Sequence, residues 1–248
     1  CEWSAQVVEA ALDDVLWDLD ARTASQTASP PRAQDDRPVL VILPGNVIGP
    51  TVASAYCAAA AGARVILKSS GPERLLAPVV ARQFDELGPP LAGTIDARYW
   101  QGGDLAVESP LFDSVRKIVA FGGDDTIARL AARSPVVVRG YGDSYSVGLV
   151  LRDADLAAAA RGAARDICLF DQRGCLSPQT IYVEGDDAKA VLFANGLASA
   201  LRATDETLPR ARMTGDEAAL VAMAVRRLSV TAIAPRTNAL ATLLLGPE

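Results

Sequence analysis

The residue in this chain best suited to chemistry is Cys175, in the stretch 170–179. It follows a glycine and lies between an Ala/Arg-rich helical segment, 157–169, and a short strand-like run, Thr180–Val183. A cysteine presented on a turn, near backbone N–H groups that lower its pKa, can act as a nucleophile, whereas one packed in apolar surroundings is inert. The stretch alone leaves both readings open, because free cysteine is among the most buried residue types.

The absence of histidine from the chain narrows the possible mechanisms. Ser-His-Asp and Cys-His pairs cannot operate within it, so a nucleophile must be activated by backbone dipoles, by lysine or by a bound cofactor. The four cysteines form no CxxC pair, so we expect no metal site of the Cys/His kind. Cys57 and Cys168 lie in predicted helices and are interpreted as packing residues.

The composition indicates a globular protein of one large or two modest domains. The chain has 248 residues, half of them apolar, and a formal net charge of −6. That acidic balance argues against nucleic acid as a partner. No run approaches the ~18 apolar residues of a spanning helix, so we expect no membrane span and a cytoplasmic location, where free thiols persist.

Apolar strands alternate with helices over the first part of the chain. The predicted strands cover 38–44, 64–68, 94–99, 115–121 and 135–140, after an amphipathic helix over 2–22. Such βα units predict an α/β fold with a doubly wound, Rossmann-like parallel sheet. We expect a dinucleotide-binding domain with the N-terminal helix over 1–143 and a second α/β domain carrying Cys175 over 144–248.

Ligands of such sheets bind outside the carboxyl ends of the strands. Three turns follow predicted strands there: Gly45-Asn46, Lys68-Ser69-Ser70 and Gly122-Gly123-Asp124. A glycine-rich turn that opens a helix offers unpaired N–H groups to a phosphate. None of the three matches GxGxxG or a P-loop, so each can equally be read as an ordinary βα turn.

Several segments resemble the aldehyde dehydrogenase superfamily. Leu-Pro-Gly-Asn at 43–46 resembles its Pro-x-Asn motif, and the segment 62–70 resembles its Gly-Asn-x-Val-x-x-Lys-Pro-Ser segment. Asp-Ala-Asp-Leu at 153–156 and Gln-Arg-Gly-Cys at 172–175 resemble its Asp-Ala-Asp-Leu helix and Gln-x-Cys nucleophile region. Phe-Gly-Gly-Asp at 121–124 loosely matches Phe-Thr-Gly-Ser. Order and spacing agree over 38–183, and the chain looks most like the long-chain acyl-CoA and acyl-protein reductase branch.

The resemblance implies an aldehyde dehydrogenase-like fold and an NADPH-dependent reduction of an acyl-CoA or acyl-carrier thioester to an aldehyde. Cys175 would accept the acyl group as a thioester. Asn46, with the backbone N–H of Cys175, would stabilise the oxyanion; the alternative for Asn46 is a turn residue tolerant of left-handed backbone. A homo-oligomer is also implied.

The cofactor residues implied by the resemblance follow two of the strands. Lys68 would hold ribose hydroxyls or a phosphate, although a solvated lysine ending a strand is the alternative. Ser69 and Ser70 would lie beside Lys68. Gly122, Gly123 and Asp124 would lie against the dinucleotide.

Two departures from the superfamily pattern bear on function. Where oxidising members carry a glutamate in Glu-Leu-Gly-Gly, residues 139–143 read Arg-Gly-Tyr-Gly-Asp. Without that base, hydrolysis of an acyl-enzyme should be slow, which favours acyl reduction, although Asp143 could substitute. Only 73 residues follow Cys175, whereas family members continue to a Glu-x-Phe-Gly-Pro segment and an oligomerisation arm, so either residues are missing or the chain is degenerate.

Two other functions stay open at this level. An NAD(P)-dependent aldehyde dehydrogenase would oxidise aldehydes without CoA, and a non-catalytic nucleotide-binding or scaffold protein is compatible with the short C-terminal part. Ser177 is either a hydrogen-bonding neighbour of the thiolate or an ordinary turn serine.

Overall fold

The computed structural model describes residues 3–19 and 36–210, and beyond them residues 215, 218–219 and 222–223 and the strands Ala234–Thr237 and Thr242–Leu245. By its internal contacts the chain divides into two compact units. The first contains Glu9–Ser144, and the second joins Tyr145 onward to the N-terminal residues through Val8. The start of the N-terminal helix groups with the second unit because Trp3 contacts Phe170.

The first unit alternates strands with helices. After helix α1 (Ala5–Asp18), its elements are β1 (Val39–Ile42), α2 (Gly49–Ala60), β2 (Val65–Lys68), α3 (Leu76–Glu86), β3 (Ile95–Arg98), α4 (Leu105–Ser114), β4 (Lys117–Phe121), α5 (Asp124–Arg133) and β5 (Val138–Tyr141). Residues 2 and 20–22 of the predicted N-terminal helix lie outside the described residues.

These five strands form one parallel sheet in the order β3-β2-β1-β4-β5. At the centre, Val39 of β1 lies opposite Val65 of β2 and Lys117 of β4. Successive side chains point to opposite faces, so Leu40 packs on one side with Phe112 of α4, and Val41 packs on the other with Ala55 of α2. Helices therefore cover both faces, which explains the continuous apolar runs and confirms the predicted α/β, doubly wound sheet.

The fifth strand begins later than the sequence predicts. Ser134 accepts a hydrogen bond from the Val136 N–H (3.2 Å) and donates to the Val136 carbonyl (2.8 Å), so residues 134–136 form a tight turn instead of a strand. The strand instead includes Tyr141, whose ring stacks on Phe121 with centroids 5.0 Å apart.

The second unit contains β6 (Val147–Val150), α6 (Leu156–Cys168), a 3₁₀ turn (Leu169–Gln172), β7 (Thr180–Val183) and α7 (Asp187–Thr207). Strands β6 and β7 pair in parallel, and Ala160 and Ala164 of α6 pack with Phe193 and Leu197 of α7. The strands β8 (Ala234–Thr237) and β9 (Thr242–Leu245) form an antiparallel pair. Within the described part of the chain, no helix is both long and apolar enough to cross a membrane.

The helix that precedes the Cys175 stretch begins where the sequence indicates. The Asp155 carboxylate accepts the N–H groups of Ala157 (2.9 Å) and Ala158 (3.2 Å), which caps α6. These hydrogen bonds to the charged form lower the pKa of Asp155. The Asp-Ala-Asp-Leu segment therefore has a local structural role at the start of α6.

Candidate active site

Three neighbouring strands carry most of the predicted ligand-binding residues at their carboxyl ends. Lys68 is the last residue of β2, Asn46 lies exposed in the turn after β1, and Gly122 directly follows β4. Because β2, β1 and β4 are adjacent and parallel, the structure brings Asn46, Lys68 and Gly122 to the same edge of the sheet.

Strand β1 is the point at which the strand order reverses. The chain runs from β1 outward to β2 and β3, then returns to place β4 on the other side of β1. Open α/β sheets bind ligands in the crevice at such a reversal. The turns that contain Asn46 and Gly122 flank this crevice.

The turns after β1 and β2 lie against each other. A Cβ added to Gly45 would be only 2.9 Å from the Ser70 Oγ, so the close approach requires glycine. Ser69 is buried, and its N–H donates to the Arg98 carbonyl (2.9 Å), continuing the pairing of β2 with β3. Ser70 therefore lies at the edge of the sheet, whereas Ser69 faces the interior.

The Lys68 ammonium lies beside two aromatic rings. Its Nζ is 5.5 Å from the centroid of Trp100 and 5.7 Å from that of Tyr99, within cation–π range. Burial is the main cause that lowers the pKa of Lys68; the Glu108 carboxylate opposes this effect, and Arg74 adds to it. A partly desolvated cation interacts more strongly with an anionic ligand than a fully hydrated one does.

The turns after β4 and β5 are joined by a reciprocal pair of carboxylates, here called the Asp124–Asp143 pair. The Asp124 N–H donates to the Asp143 carboxylate (3.3 Å), and the Asp143 N–H donates to the Asp124 carboxylate (3.1 Å). Gly142 allows this approach, because a Cβ there would lie 1.7 Å from the Asp124 Oδ1. Asp143, considered above as a replacement base, is thus held at the start of α5.

The Gly122-Gly123 turn has open space beside it and carboxylates around it. A Cβ at Gly122 would meet nothing within 4 Å. Asp124 and Asp125 lie in the first turn of α5, and Asp143 accepts from its first N–H. Because carboxylates already occupy the positive end of this helix dipole, the turn suits a hydroxyl-bearing ligand better than a phosphate.

Cys175 is exposed on a turn of the second unit. The Ser177 N–H donates to the Gly174 carbonyl (3.1 Å), which closes the turn, and the Ser146 hydroxyl donates to the Cys175 carbonyl. Ser177 is itself buried. Of the two readings of Cys175, the buried structural thiol is wrong for this structure.

The residues just before this turn have unusual backbone geometry. Phe170, Asp171 and Gln172 have φ values of 63°, 50° and 59°. Three successive non-glycine residues in the left-handed region are costly, at about 1–3 kcal/mol each, and persist only where surrounding contacts hold them.

Side chains from three parts of the second unit hold this left-handed segment. Trp3 packs edge-on against Phe170 with centroids 5.5 Å apart, and the Arg173 guanidinium lies 5.3 Å from the Trp3 centroid. Arg210 forms an ion pair with Asp171 at 3.4 Å. Trp3, Phe170 and Arg173 are called the Trp3 clasp below.

The other described cysteines differ from Cys175 in their surroundings. Cys168 is partly buried, and burial, with smaller contributions from Asp205 and Asp171, raises its pKa to about 11. Its thiol is therefore poorly nucleophilic. Cys57 is exposed on α2, so the packing interpretation is wrong for it.

Sequence reasoning missed several residues around these sites, notably Trp3, Ser146 and Glu108. A signal for Glu108 was available, because Leu111 and Phe112 follow it at helical spacing and place the acid on the buried face of α4. No sequence pattern marked Trp3 or Ser146, whose contacts join residues far apart in the chain. In the described part of the chain, no group of three or more acidic or cysteine side chains is placed to hold a metal ion.

A cavity of about 250 Å³ lies away from these turns. Its lining includes Pro38, Arg64 and Thr94, which precede β1, β2 and β3 at the amino ends of those strands. None of the predicted site residues lines it.

Comparison with known proteins points to one family. A family model described as acyl-CoA reductase (LuxC) matches residues 7–236. A long-chain acyl-protein thioester reductase from Vibrio harveyi is 32% identical over 187 residues, which cover 73% of this chain and 39% of that protein. A long-chain acyl-protein thioester reductase 2 from Photobacterium leiognathi is 30% identical over 190 residues, 75% of this chain and 39% of that protein. The chain spans about two fifths of the length of these relatives.

Solved structures show the fold. An NAD-dependent benzaldehyde dehydrogenase from Corynebacterium glutamicum is 26% identical, with a TM-score of 0.54 over 66% of this chain and 36% of that one. An indole-3-acetaldehyde dehydrogenase in complex with NAD+ is 20% identical, with a TM-score of 0.64 over 85% of this chain and 46% of that one. The aldehyde dehydrogenase-like fold predicted from the sequence is thereby confirmed.

Substituting Gly142→Ala should destabilise the first unit. The added Cβ displaces the Asp124 carboxylate and breaks its hydrogen bond to the Asp143 N–H, at a cost of about 0.5–1.5 kcal/mol. The matched control is Gly162→Ala in α6, where a Cβ meets nothing within 4 Å and should stabilise by about 0.5–1 kcal/mol. Denaturant unfolding measures how the free energy of unfolding changes in each variant. A change of the same sign in both variants would contradict the proposed role of the Asp124–Asp143 pair.

Substituting Trp3→Ala should loosen the left-handed segment. Loss of the aromatic pair, worth about 0.5–1.5 kcal/mol, should speed trypsin cleavage after Arg173 by about 2- to 10-fold, because cleavage requires local opening. Mass spectrometry of a limited digest measures this rate against cleavage after Arg161 within α6. Trp3→Phe keeps a ring against Phe170 and should be cut at close to the wild-type rate; unchanged cleavage in Trp3→Ala would rule out a holding role for the clasp.

Proposed function

Because the matching family model covers most of its length, the chain belongs to the acyl-CoA reductase (LuxC) family, and we propose that it reduces an acyl-CoA or acyl-protein thioester to an aldehyde with NADPH. Family membership confirms the resemblance found in the sequence. The acyl-protein substrate is suggested by the relatives from Vibrio harveyi and Photobacterium leiognathi, which are long-chain acyl-protein thioester reductases.

The observation that carries the proposal is the placement of Cys175. It is exposed on a turn between α6 and β7, and contacts made by its neighbours hold that turn. An accessible thiol on a held loop suits attack on a thioester carbonyl, in which the reacting atoms must approach in a fixed orientation.

The proposed reaction has two stages on Cys175. In the first, its sulfur bonds to the acyl carbon, the bond to the carrier sulfur breaks, and the carrier leaves as a thiolate that takes up a proton. In the second, the acyl carbon is reduced to a thiohemiacetal, which releases the aldehyde and returns the Cys175 thiolate. A nicotinamide cofactor, when bound, would supply the two electrons of this reduction as hydride.

Asn46 is the proposed donor to the oxygen that becomes negative in both stages, as the family resemblance implies. Asn46 is exposed in the turn after β1, at the carboxyl edge of the sheet. An amide donor at this edge is chemically suited to an oxyanion, since its N–H groups donate hydrogen bonds without ionising near neutral pH.

The engagement of Asp143 supports reduction over aldehyde oxidation. Oxidation requires a base that activates water against the acyl-enzyme, and Asp143 is the acidic residue in the corresponding stretch. Its carboxylate accepts the Asp124 N–H and is held at the start of α5. The glutamate that oxidising members carry in this stretch is missing here, and its absence supports an acyl-enzyme that is reduced and not hydrolysed.

The residues of the first unit fit a dinucleotide. Asn46 and Gly122 flank the strand-order reversal, and Lys68 places a partly desolvated cation at the same edge. We assign ribose and phosphate contacts to Lys68 and Ser70, with Ser69 supporting the turn from the interior. The acidic turn formed by Gly122, Gly123 and Asp124 would contact ribose hydroxyls.

A second cation near Lys68 supports the proposed preference for NADPH over NADH. The Arg74 guanidinium stacks on the Tyr99 ring at 3.8 Å from its centroid, and Lys68 lies 5.7 Å from the same centroid. Two cations around one exposed ring suit the additional phosphate that distinguishes NADPH, because Arg binds phosphate through several N–H groups at once.

Purified protein mixed with NADPH and acyl-CoAs of several chain lengths should consume NADPH in an acyl-dependent reaction. Cys175→Ala should lower this rate by more than about 10³-fold, because the attacking atom is removed. Cys57→Ala, which removes another exposed thiol, should leave the rate unchanged. Absorbance at the nicotinamide band measures both.

Three outcomes of this assay would oppose the proposal. Equal rates for wild type and Cys175→Ala would remove Cys175 from the mechanism. CoA-independent aldehyde oxidation would favour an aldehyde dehydrogenase, and tight NADPH binding without any turnover would favour a non-catalytic nucleotide-binding protein.

Arg74→Gln should raise the KM for NADPH by about 10- to 100-fold and leave the KM for NADH unchanged. This estimate corresponds to one charge-assisted hydrogen bond of about 1.5–3 kcal/mol. Arg82→Gln is the matched control, since Arg82 is an exposed arginine of α3 that pairs with Glu86. An equal change for both cofactors would contradict contact between Arg74 and the additional phosphate.

A further inference from the structure

Glu108 is a buried carboxylate in α4 that the proposed reaction does not use. Its residue is 4% exposed, and acidic side chains are almost never buried to this extent unless they are paired. Removing one partner of such a pair leaves an uncompensated charge, so the contacts of a buried acid identify what it holds in place.

The contacts of Glu108 come from two parts of the first unit, the turn between β3 and α4 and the helix α5. Its Oε1 accepts hydrogen bonds from the Trp100 Nε1 (3.3 Å) and from the Gly103 N–H (3.0 Å). Its Oε2 forms an ion pair with Arg133 of α5 at 2.9 Å, but receives no well-aligned hydrogen bond from any described residue. Glu108 therefore fixes the indole ring and the turn between β3 and α4.

The indole that Glu108 fixes is one of the two rings beside Lys68. Trp100 is 6% exposed, and the Lys68 Nζ lies 5.5 Å from its centroid. A cation over the face of tryptophan is attracted by the ring quadrupole, and tryptophan is the best of the aromatic residues for this contact. The position of the ammonium group consequently depends on a ring whose orientation is set by the carboxylate.

We propose that Glu108 and Trp100 are positioning residues that place the Lys68 ammonium for binding the cofactor. Glu108 orients the indole through its Nε1–H, and the indole face then holds the Lys68 Nζ at the carboxyl edge of β2. This inference rests on the proposed function, in which Lys68 contacts the cofactor.

The charges that face Lys68 are consistent with this arrangement. Burial lowers its pKa, Glu108 opposes that effect, and Arg74 adds to it. Arg133 pairs with the same Glu108 carboxylate from the other side. Glu108 is thus the group among these that favours the charged form of Lys68, in addition to its contact with Trp100.

The variant Glu108→Gln tests this inference, because it keeps the side-chain shape and removes the charge. We expect Lys68 to titrate at a lower pH than in wild type, and the dissociation constant for NADPH to rise about 10-fold, which corresponds to about 1.4 kcal/mol. In the acyl-CoA assay the KM for NADPH should rise while kcat and the KM for acyl-CoA stay unchanged. If Glu108 only supported the fold, the KM for NADPH would not rise while kcat and the KM for acyl-CoA stayed unchanged.

The titration can be measured directly, because the sequence contains only three lysines, Lys68, Lys117 and Lys189. Reductive ¹³C-methylation and NMR would give a small set of signals, with Lys117 and Lys189 as internal references. Lys68→Arg identifies the Lys68 signal by its loss. Glu86→Gln, at an exposed glutamate of α3, is the matched charge control and should leave the Lys68 titration and NADPH binding unchanged.

Trp100→Phe is the second variant and covers the case in which Glu108→Gln does not fold. Its smaller ring without an N–H donor should shift the Lys68 titration in the same direction and weaken NADPH binding. An unchanged Lys68 titration in either folded variant would overturn the inference. If the titration shifts but wild-type protein does not bind NADPH, the placement of Lys68 by Glu108 is supported and the cofactor role in the proposed function fails.

Discussion

The pairing of β1 between β2 and β4 is the constraint on which the candidate site of the first unit depends. All three strands are parallel, so each one begins at one edge of the sheet and ends at the other. Helices cover both faces, and polar side chains are therefore excluded from the middle of the strands. Lys68 is the charged final residue of β2, a strand that is buried throughout. Its charge is tolerated there because aromatic rings and the Glu108 carboxylate surround it.

The carboxyl edge of this sheet has charges of opposite sign on the two sides of β1. On the β2 side lie Lys68 and Arg74, with the Glu73 carboxylate turned to the N–H groups of Leu75 and Leu76. On the β4 side lie Asp124, Asp125 and Asp143. An elongated ligand with phosphate groups nearer one end would consequently bind in one orientation. In the proposed function, this distribution places the phosphate-rich end of the cofactor beside β2 and a hydroxyl-bearing part beside α5.

Much of the fold could be predicted from the sequence, because it depends on local patterns. Continuous apolar runs identified the strands, and the Asp155 cap marked the start of α6. The fifth strand was placed too early because Ser134 forms a turn through its side chain, and apolar content alone cannot reveal that contact. Motif order predicts Cys175, Asn46 and Lys68 as site residues, but it does not predict the contacts that these residues and their neighbours make. Trp3 is 167 positions before Phe170 (170 − 3), and only the folded chain brings the two rings together.

The left-handed segment ahead of Cys175 shows that residues outside this stretch help to determine the geometry of the thiol. Phe170, Asp171 and Gln172 each adopt a conformation that L-residues disfavour by roughly 1–3 kcal/mol. The intrinsic backbone preference of this stretch is therefore opposed to its conformation in the protein. Contacts with Trp3 and Arg210 supply the free energy that offsets this cost. A synthetic peptide with the sequence of residues 169–179 would not reproduce the turn. The presentation of the thiol therefore depends on Trp3 and Arg210, which lie outside the stretch that contains Cys175.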